Sequence, residues 1–347
     1  MGFVADRATG VGAMWLLAQA ANAIGGYTKL SPLLWASILG MGIGNVIGAD
    51  GKKRLGAGVG FAKSRLLRAG IVLYGFKLTV QQIASIGIAG VLADLFTISS
   101  TMFLAITVGV RGLGLAPSLA SLIGVGAAIC GCTAAAAAQP VVDGEDYETA
   151  AAVGTVVFCG TLAMFLYPAL FKLVPFLNAD HRLMGIFTGS TVHELAGVVA
   201  ASTAMPADVA AVAVVTKLVR VALLAPMLVL MSTFPALWGK GGSNGDSGSS
   251  GDGTKVVKPP LPYFALGFLG AAVLNSLVTL DRGLVKVSVK ASALCLAMAM
   301  SALGLEADLA KIRALGSKPL LLAAGLWAWL LFACGSVARL LVHVFPI

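Results

Sequence analysis

Charge is what this sequence lacks most. Asp, Glu, Lys and Arg make up 11% of its 347 residues, roughly half the share of a soluble protein. A water-facing surface cannot be built from so few charges, so an array of soluble domains is excluded. There are 5 cysteines and 3 histidines. Cys130, Cys132, Cys159, Cys295 and Cys334 all fall inside apolar segments, no loop holds a pair to staple, and free thiols are expected. Cys130-Gly131-Cys132 has no further Cys or His beside it to complete four ligands, so no metal or other cofactor is expected. No Gly-x-x-x-x-Gly-Lys-Ser/Thr motif is present, which excludes ATP as the direct energy source. The first apolar stretch, Val11 to Ile24, is interrupted by Gly, Gln and Asn and does not read as a cleavable signal.

Apolar residues fill the space that charge leaves. The set AVILMFWYC is 58% of the chain, and it comes in long runs. The fold class is therefore an all-α polytopic membrane protein of about 11 spans, each about 20 residues long. Residues 1–29 hold a weak first span, 30–238 hold spans two to eight, and 259–347 hold spans nine to eleven. Between them, 239–258 (GKGGSNGDSGSSGDGTKVVK) is a flexible tether with a reach of about 25 Å, so the chain forms one membrane domain. Net charge is +9, but the basic residues sit between apolar runs, which points away from nucleic acid and toward loop topology. Asp50–Arg68 carries Lys52, Lys53, Arg54, Lys63, Arg65 and Arg68 against one acid and is placed in the cytoplasm. Counting spans from there puts Asp143–Glu148 outside. It puts Lys172, Arg182, the tether, Lys311, Arg313 and Lys318 inside, with the N-terminus cytoplasmic and the C-terminus external. Without the weak span, ten remain. Two five-span units must be inverted relative to each other, as in many secondary transporters, and span five then pairs with span ten.

Polar groups inside a bilayer need a partner, a cavity or a function. Span five, Pro117–Ala138, contains Cys130, Gly131 and Thr133, with Gln139 just beyond. Glycines around a Cys, followed by Thr, predict a helix broken between about Ile129 and Thr133, whose freed amides attract anions. Span seven, Met184–Ala204, contains Ser190, Thr191, His193 and Glu194. A zinc protease would need a second His where Gly197 stands, so an intramembrane enzyme is not favoured. What remains is a titratable pair suited to proton coupling. Lys217 and Arg220 share one face of span eight and either face the bundle, attracting an anion or pairing with Glu194, or snorkel to the interface. Lys77 and Asn275 are secondary candidates.

Several blocks carry a resemblance. Residues 66–83 (LLRAGIVLYGFKLTVQQI), 127–131 (AAICG), 185–199 (GIFTGSTVHELAGVV), 217–226 (KLVRVALLAP), 296–305 (LAMAMSALGL) and 318–330 (KPLLLAAGLWAWL) resemble the YeiH family of bacterial membrane proteins. The match is collinear from about residue 30 onward, and the chain departs from the family pattern at Gln139 and Gly197. The resemblance implies sulfate export and a place in the cation/proton antiporter and bile-acid-symporter-like superfamily. It also implies an inverted five-plus-five repeat with two crossing broken helices, in a bacterial plasma membrane.

The expected function is thus secondary transport of a small inorganic anion, sulfate or sulfite-like, coupled to H⁺ or Na⁺. Bicarbonate, sulfonates and small organic acids are the alternative substrates. Cys130, Gly131, Thr133, Gln139, Ser190, Thr191, Lys217, Arg220 and Asn275 are the candidate substrate-binding residues, and His193 with Glu194 the candidate proton carrier. The lipid bilayer is the one structural partner the sequence specifies; a homo-oligomer is compatible with it.

Overall fold

The computed structural model describes residues 2–28, 31–77, 79–84, 86–234, 238, 263–278, 281–307 and 316–345, and every regular element among them is a helix. The tether 239–258 and the Lys311/Arg313 pair lie outside the described residues. In chain order the helices are α1 (Gly2–Thr28), α2 (Pro32–Val46) and α3, which runs on from Gly48–Phe61 through a π turn and Leu67–Tyr74 to Gly75–Lys77. Then come α4 (Val80–Ala84), α5 (Gly87–Gly112), α6 (Pro117–Ala128), α7 (Cys132–Val142), α8 (Asp146–Leu173) and α9 (Pro175–Ala179). The chain continues with α10 (His181–Thr191), α11 (Leu195–Ser202), α12 (Ala207–Thr233), α13 (Tyr263–Leu277), α14 (Arg282–Glu306) and α15 (Ser317–Val344). Among the described residues five helices, within α5, α8, α12, α14 and α15, are long and apolar enough to cross a membrane.

The helices fall into two groups, each packed more densely within itself than against the other. α1, α2, α3, α13 and α14 form a scaffold in which glycine lets backbones touch. Gly10 of α1 meets Gly58 of α3, and Gly40 and Gly44 of α2 lie on the backbone of Ser301 and Leu305 in α14. A Cβ at any of these four would overlap backbone atoms. α5, α6, α7, α8, α10, α11, α12 and α15 form the second group, the core.

The Asp50–Arg68 segment expected as a loop is instead most of α3. Lys, Arg, Ala and Leu are all good helix formers; low hydropathy marks a helix that leaves the bilayer as readily as a loop.

Neighbouring contacts fix the direction of each helix. At one end of the bundle Asn45 bonds the Ala307 carbonyl at 2.9 Å and Lys318 approaches Gly114. At the other end Arg182 bonds the carbonyls of Phe345 and Ile86, and Ser31 bonds Thr203 at 3.0 Å. We term these the basic end, which holds Lys52, Lys53, Arg54, Arg111 and Lys318, and the far end.

Within the core, α6 and α7 do not cross. Ser118 bonds Glu148 at 2.8 Å and Gly126 lies against Val156, so α6 and α8 run side by side in one direction. Gly126 also neighbours Ala135, and Leu122 neighbours Gly144, so α7 returns along α6 to the basic end. The pair is a re-entrant hairpin. α10 and α11 form a second one. His181 pairs with Asp208 at 2.6 Å, Gly185 packs on Val212 and Gly189 on Thr216, so α10 and α12 also run in the same direction. The turn at 203–206 delivers α11 back to the far end, where α12 begins.

Two expectations change. Span five is broken where expected, at Ile129–Gly131, but it meets span seven and not span ten; α14, which contains span ten, is one continuous helix. Because the chain turns back at each break, Asp143–Glu148 shares the basic end with Lys52–Arg54. Lys172 and Arg182 lie at the far end, opposite to the placement counted from the sequence.

Candidate functional site

The hairpin tips meet at mid-depth, and each break exposes two kinds of helix end. The carbonyls that close α6 and α10 have no intrahelical donors, and the first amides of α7 and α11 have no intrahelical acceptors. Gly131 takes φ 76° and ψ −136°, a conformation open to glycine, and turns the chain between α6 and α7.

Two cations satisfy the carbonyl ends. Lys217 Nζ donates to Ile129 O at 2.6 Å and to Val192 O at 2.7 Å, one carbonyl from each tip. Arg220 donates through Nε to Ala128 O at 2.5 Å, through Nη2 to Ala127 O at 2.6 Å and through Nη1 to Val192 O at 3.5 Å. Both side chains are fully buried. Positive charge at the negative ends of two helix dipoles is favourable, more so in a low-dielectric interior. Of the two alternatives left open by the sequence, both residues face the bundle, but their hydrogen bonds are made to the tips.

One carboxylate answers the amide ends. Glu194 precedes α11 in the second hairpin, yet its side chain reaches the first, lying against Gly131 and beside Cys132 at the start of α7. Its Oε1 has no partner among the described residues. A Cβ on Gly131 would sit against the Glu194 side chain, and Gly160 of α8 makes room for His193 and Glu194 from the other side. Each helix end of one hairpin is thus met by an opposite charge, and Val192 and Glu194 tie the second hairpin to the first.

The other candidates divide by depth. Cys130 is buried at the first tip, Cys132 is half-buried and Thr133 exposed, so the start of α7 opens toward the space between core and scaffold. On that side Lys63 of α3, paired with Glu306 at 2.7 Å, acts electrostatically on Cys132 and Glu194. His193 is buried with Nδ1 unpartnered. Ser190 and Thr191 are buried too, but their hydroxyls are engaged: Ser190 donates to Ile186 O at 2.7 Å, while Thr191 bonds Phe187 O and the Tyr167 hydroxyl. Gln139 lies near the basic end, bonding Gly144 O at 3.4 Å, about two turns from the tip. Asn275 of α13 and Lys77 of α3 lie toward the far end of the scaffold, Lys77 beside the Tyr74 ring, so neither joins the tips. Among the described residues no three His, Cys, Asp or Glu side chains gather to hold a metal ion.

Sequence reasoning missed Asp94. It is fully buried in α5, close enough to Arg220 and Lys217 to feel both charges. The signal was available, since Asp94 is the one acid in the apolar run 83–110.

A family model described as "Conserved hypothetical protein 698" matches residues 3–323. The chain is 45% identical to a UPF0324 membrane protein of Pseudomonas aeruginosa over 317 residues, 90% of this chain and 87% of the relative. It is 41% identical over 335 residues to the UPF0324 inner membrane protein YeiH of Salmonella typhimurium, covering 96% and 91%. With the YeiH of Escherichia coli K12 it shares 42% over 307 residues, covering 88% and 85%. No solved structure matches.

Proposed function

Since the chain belongs to the UPF0324 family of bacterial membrane proteins that includes YeiH, we propose that it is a secondary transporter of a small anion. Glu194 is the observation that carries this reading. A carboxylate from one hairpin lies at the amide end of the other, against Gly131, so the tip already houses an anionic group belonging to the protein itself. A free anion competing for the same amides displaces that carboxylate, and the displaced Glu194 takes up a proton to avoid a bare buried charge. Substrate binding and proton uptake are then linked at one residue, with His193 beside it.

Three further features support transport without bond-breaking chemistry. The site lies at mid-depth between hairpins that insert from opposite ends, the arrangement alternating access requires. The helices pack more densely within the scaffold and within the core than between them, which favours movement of one against the other. The basic end carries the excess of Lys and Arg and is assigned to the cytoplasm.

Sulfate and sulfite are the leading substrates, with bicarbonate, sulfonates and small carboxylates as the competing set, and H⁺ as the coupling ion ahead of Na⁺. Counterflow in proteoliposomes with labelled sulfate, sulfite, thiosulfate, bicarbonate and small carboxylates is the test. Exchange of one of these anions, abolished by Thr133→Trp at the opening of α7, supports the reading. Folded protein that exchanges none of them refutes it.

A further inference from the structure

We propose that Asp94 is a second proton-carrying group and that it acts on both hairpin tips through Arg220. The inference rests on the transporter reading and adds to it the means by which a proton reaches the tips. Asp94 has no exposed surface, and neither carboxylate oxygen has a hydrogen-bond partner among the described residues. A buried ionised carboxylate without donors is costly, so the arrangement described here is that of a protonated Asp94.

The surroundings say what ionisation would do. α5 and α10 set out together from the far end, where Arg182 bonds Ile86 O, and Asp94 lies about two turns deep along α5. From α12, Lys217 and Arg220 act on it; these are the two cations in its field. α10, which packs on α5, carries Thr188, whose buried hydroxyl is also unpartnered, and the π turn of α15 brings Cys334 beside Thr97 one turn further along α5. Tyr167 of α8 and His193 lie within the field of Arg220. α6 faces α5 through Ala120 and Gly124 and brings no charge.

Arg220 therefore has two sets of acceptors. With Asp94 neutral it holds Ala127, Ala128 and Val192, and both tips are pinned. When Asp94 loses its proton to the aqueous phase, the new carboxylate competes for the guanidinium, and the carbonyls of both tips lose a donor. The tips loosen together because one side chain serves both. Glu194 and Asp94 offset Lys217 and Arg220 when all four are charged, so each proton taken up leaves the cluster one charge more positive and better matched to an arriving anion.

The experiment uses the full chain in lipid nanodiscs. Infrared difference spectra between low and high pH are expected to contain a carboxylic-acid carbonyl band that shifts in D₂O, persists in Glu194→Gln and disappears in Asp94→Asn. A second readout is the alkylation rate of Cys132, with the other four cysteines replaced by alanine. The ratio of the Asp94 protein to Asp94→Asn, which cancels ionisation of the thiol itself, is expected near one at low pH. It should rise about tenfold at high pH, the scale of losing a charge-assisted hydrogen bond. Asp94→Glu, which keeps a carboxyl, should retain the band and the rise at a shifted midpoint; if Asp94→Asn does not fold, loss of both in Asp94→Glu overturns the proposal. A spectrum lacking the band, or a ratio flat with pH, also overturns it. Counterflow separates the two readings. Anion exchange with an unchanged pH profile in Asp94→Asn sinks this inference alone, and a titrating Asp94 band without exchange sinks the transporter reading alone.

Discussion

Replacing Gly131 with alanine tests the tip geometry in one step. At φ 76° and ψ −136° an L-residue is strained, which costs on the order of 1–3 kcal/mol. The added methyl would also lie 2.5 Å from Glu194 Cγ and 3.0 Å from its Oε1, closer than atoms can sit. Glu194 must then move away from the start of α7, and losing a charge-assisted contact there costs about 1.5–3 kcal/mol more. The sum is about 3–6 kcal/mol. Scaling unfolding entropy with chain length converts this to a drop of roughly 4–8 °C in Tm, measurable by thermal unfolding in detergent. The two contributions separate in a cycle with Glu194→Ala. In that background the methyl has no side chain to displace, and Gly131→Ala should cost only the backbone share, about 1–3 kcal/mol. Equal penalties in both backgrounds would show that Glu194 does not approach Gly131, and no penalty in either would show that the chain does not turn there.

Lys217→Met, which leaves Ile129 O without its donor and Val192 O with only the 3.5 Å bond from Arg220, should cost about 3–5 kcal/mol in the same assay, while Lys217→Arg should recover part of it. Single cysteines at Asp143 and Lys53 should be labelled by a membrane-impermeant maleimide from one side of sealed vesicles and a cysteine at Lys172 from the other; labelling of 143 and 53 from opposite sides would refute the first hairpin. Glu194→Gln should retain anion exchange at equal pH but lose acceleration by an imposed pH gradient, and an unchanged gradient response would remove Glu194 from coupling. Gly126→Leu should destabilise the protein, because even a Cβ there would lie 2.8 Å from Val156, whereas Gly12→Leu, which meets nothing, should be silent.

Much of this architecture is legible in the sequence, and the parts that are not have a physical reason. The break at Gly131 is announced by glycines and a cysteine in an otherwise smooth run, since a positive φ needs glycine. The re-entry is not announced. α6 and α7, at 12 and 11 residues, make legs of only about 17 Å each, too short to cross a 30 Å hydrocarbon core, yet end to end they have the hydropathy of one crossing helix. The placement of Lys217 and Arg220 in the bundle was one of two readings. Their partners could not be read, because backbone carbonyls acquire a charge-like role only once the neighbouring helices are known to end there. His193 and Glu194 were recognised by the cost of burying them, but Asp94, which the same rule covers, stands alone in its run and has no neighbouring motif to draw notice. Gln139 and Asn275 were grouped with the site on polarity alone, and depth along the helix separates them from it.

The pair of hairpins also decides which reporter fusions are informative. Turning one apparent crossing into a re-entry inverts everything downstream, and a second re-entry restores it. A reporter at the C-terminus therefore reads the same whether both segments cross or both turn back, as does one after α12, and agreement there confirms neither map. Only the interval from Asp143 to His181 changes compartment. An epitope tag inserted in that interval, between Val174 and Asp180, reports on the two hairpins as a unit, while tags at the chain ends are blind to them.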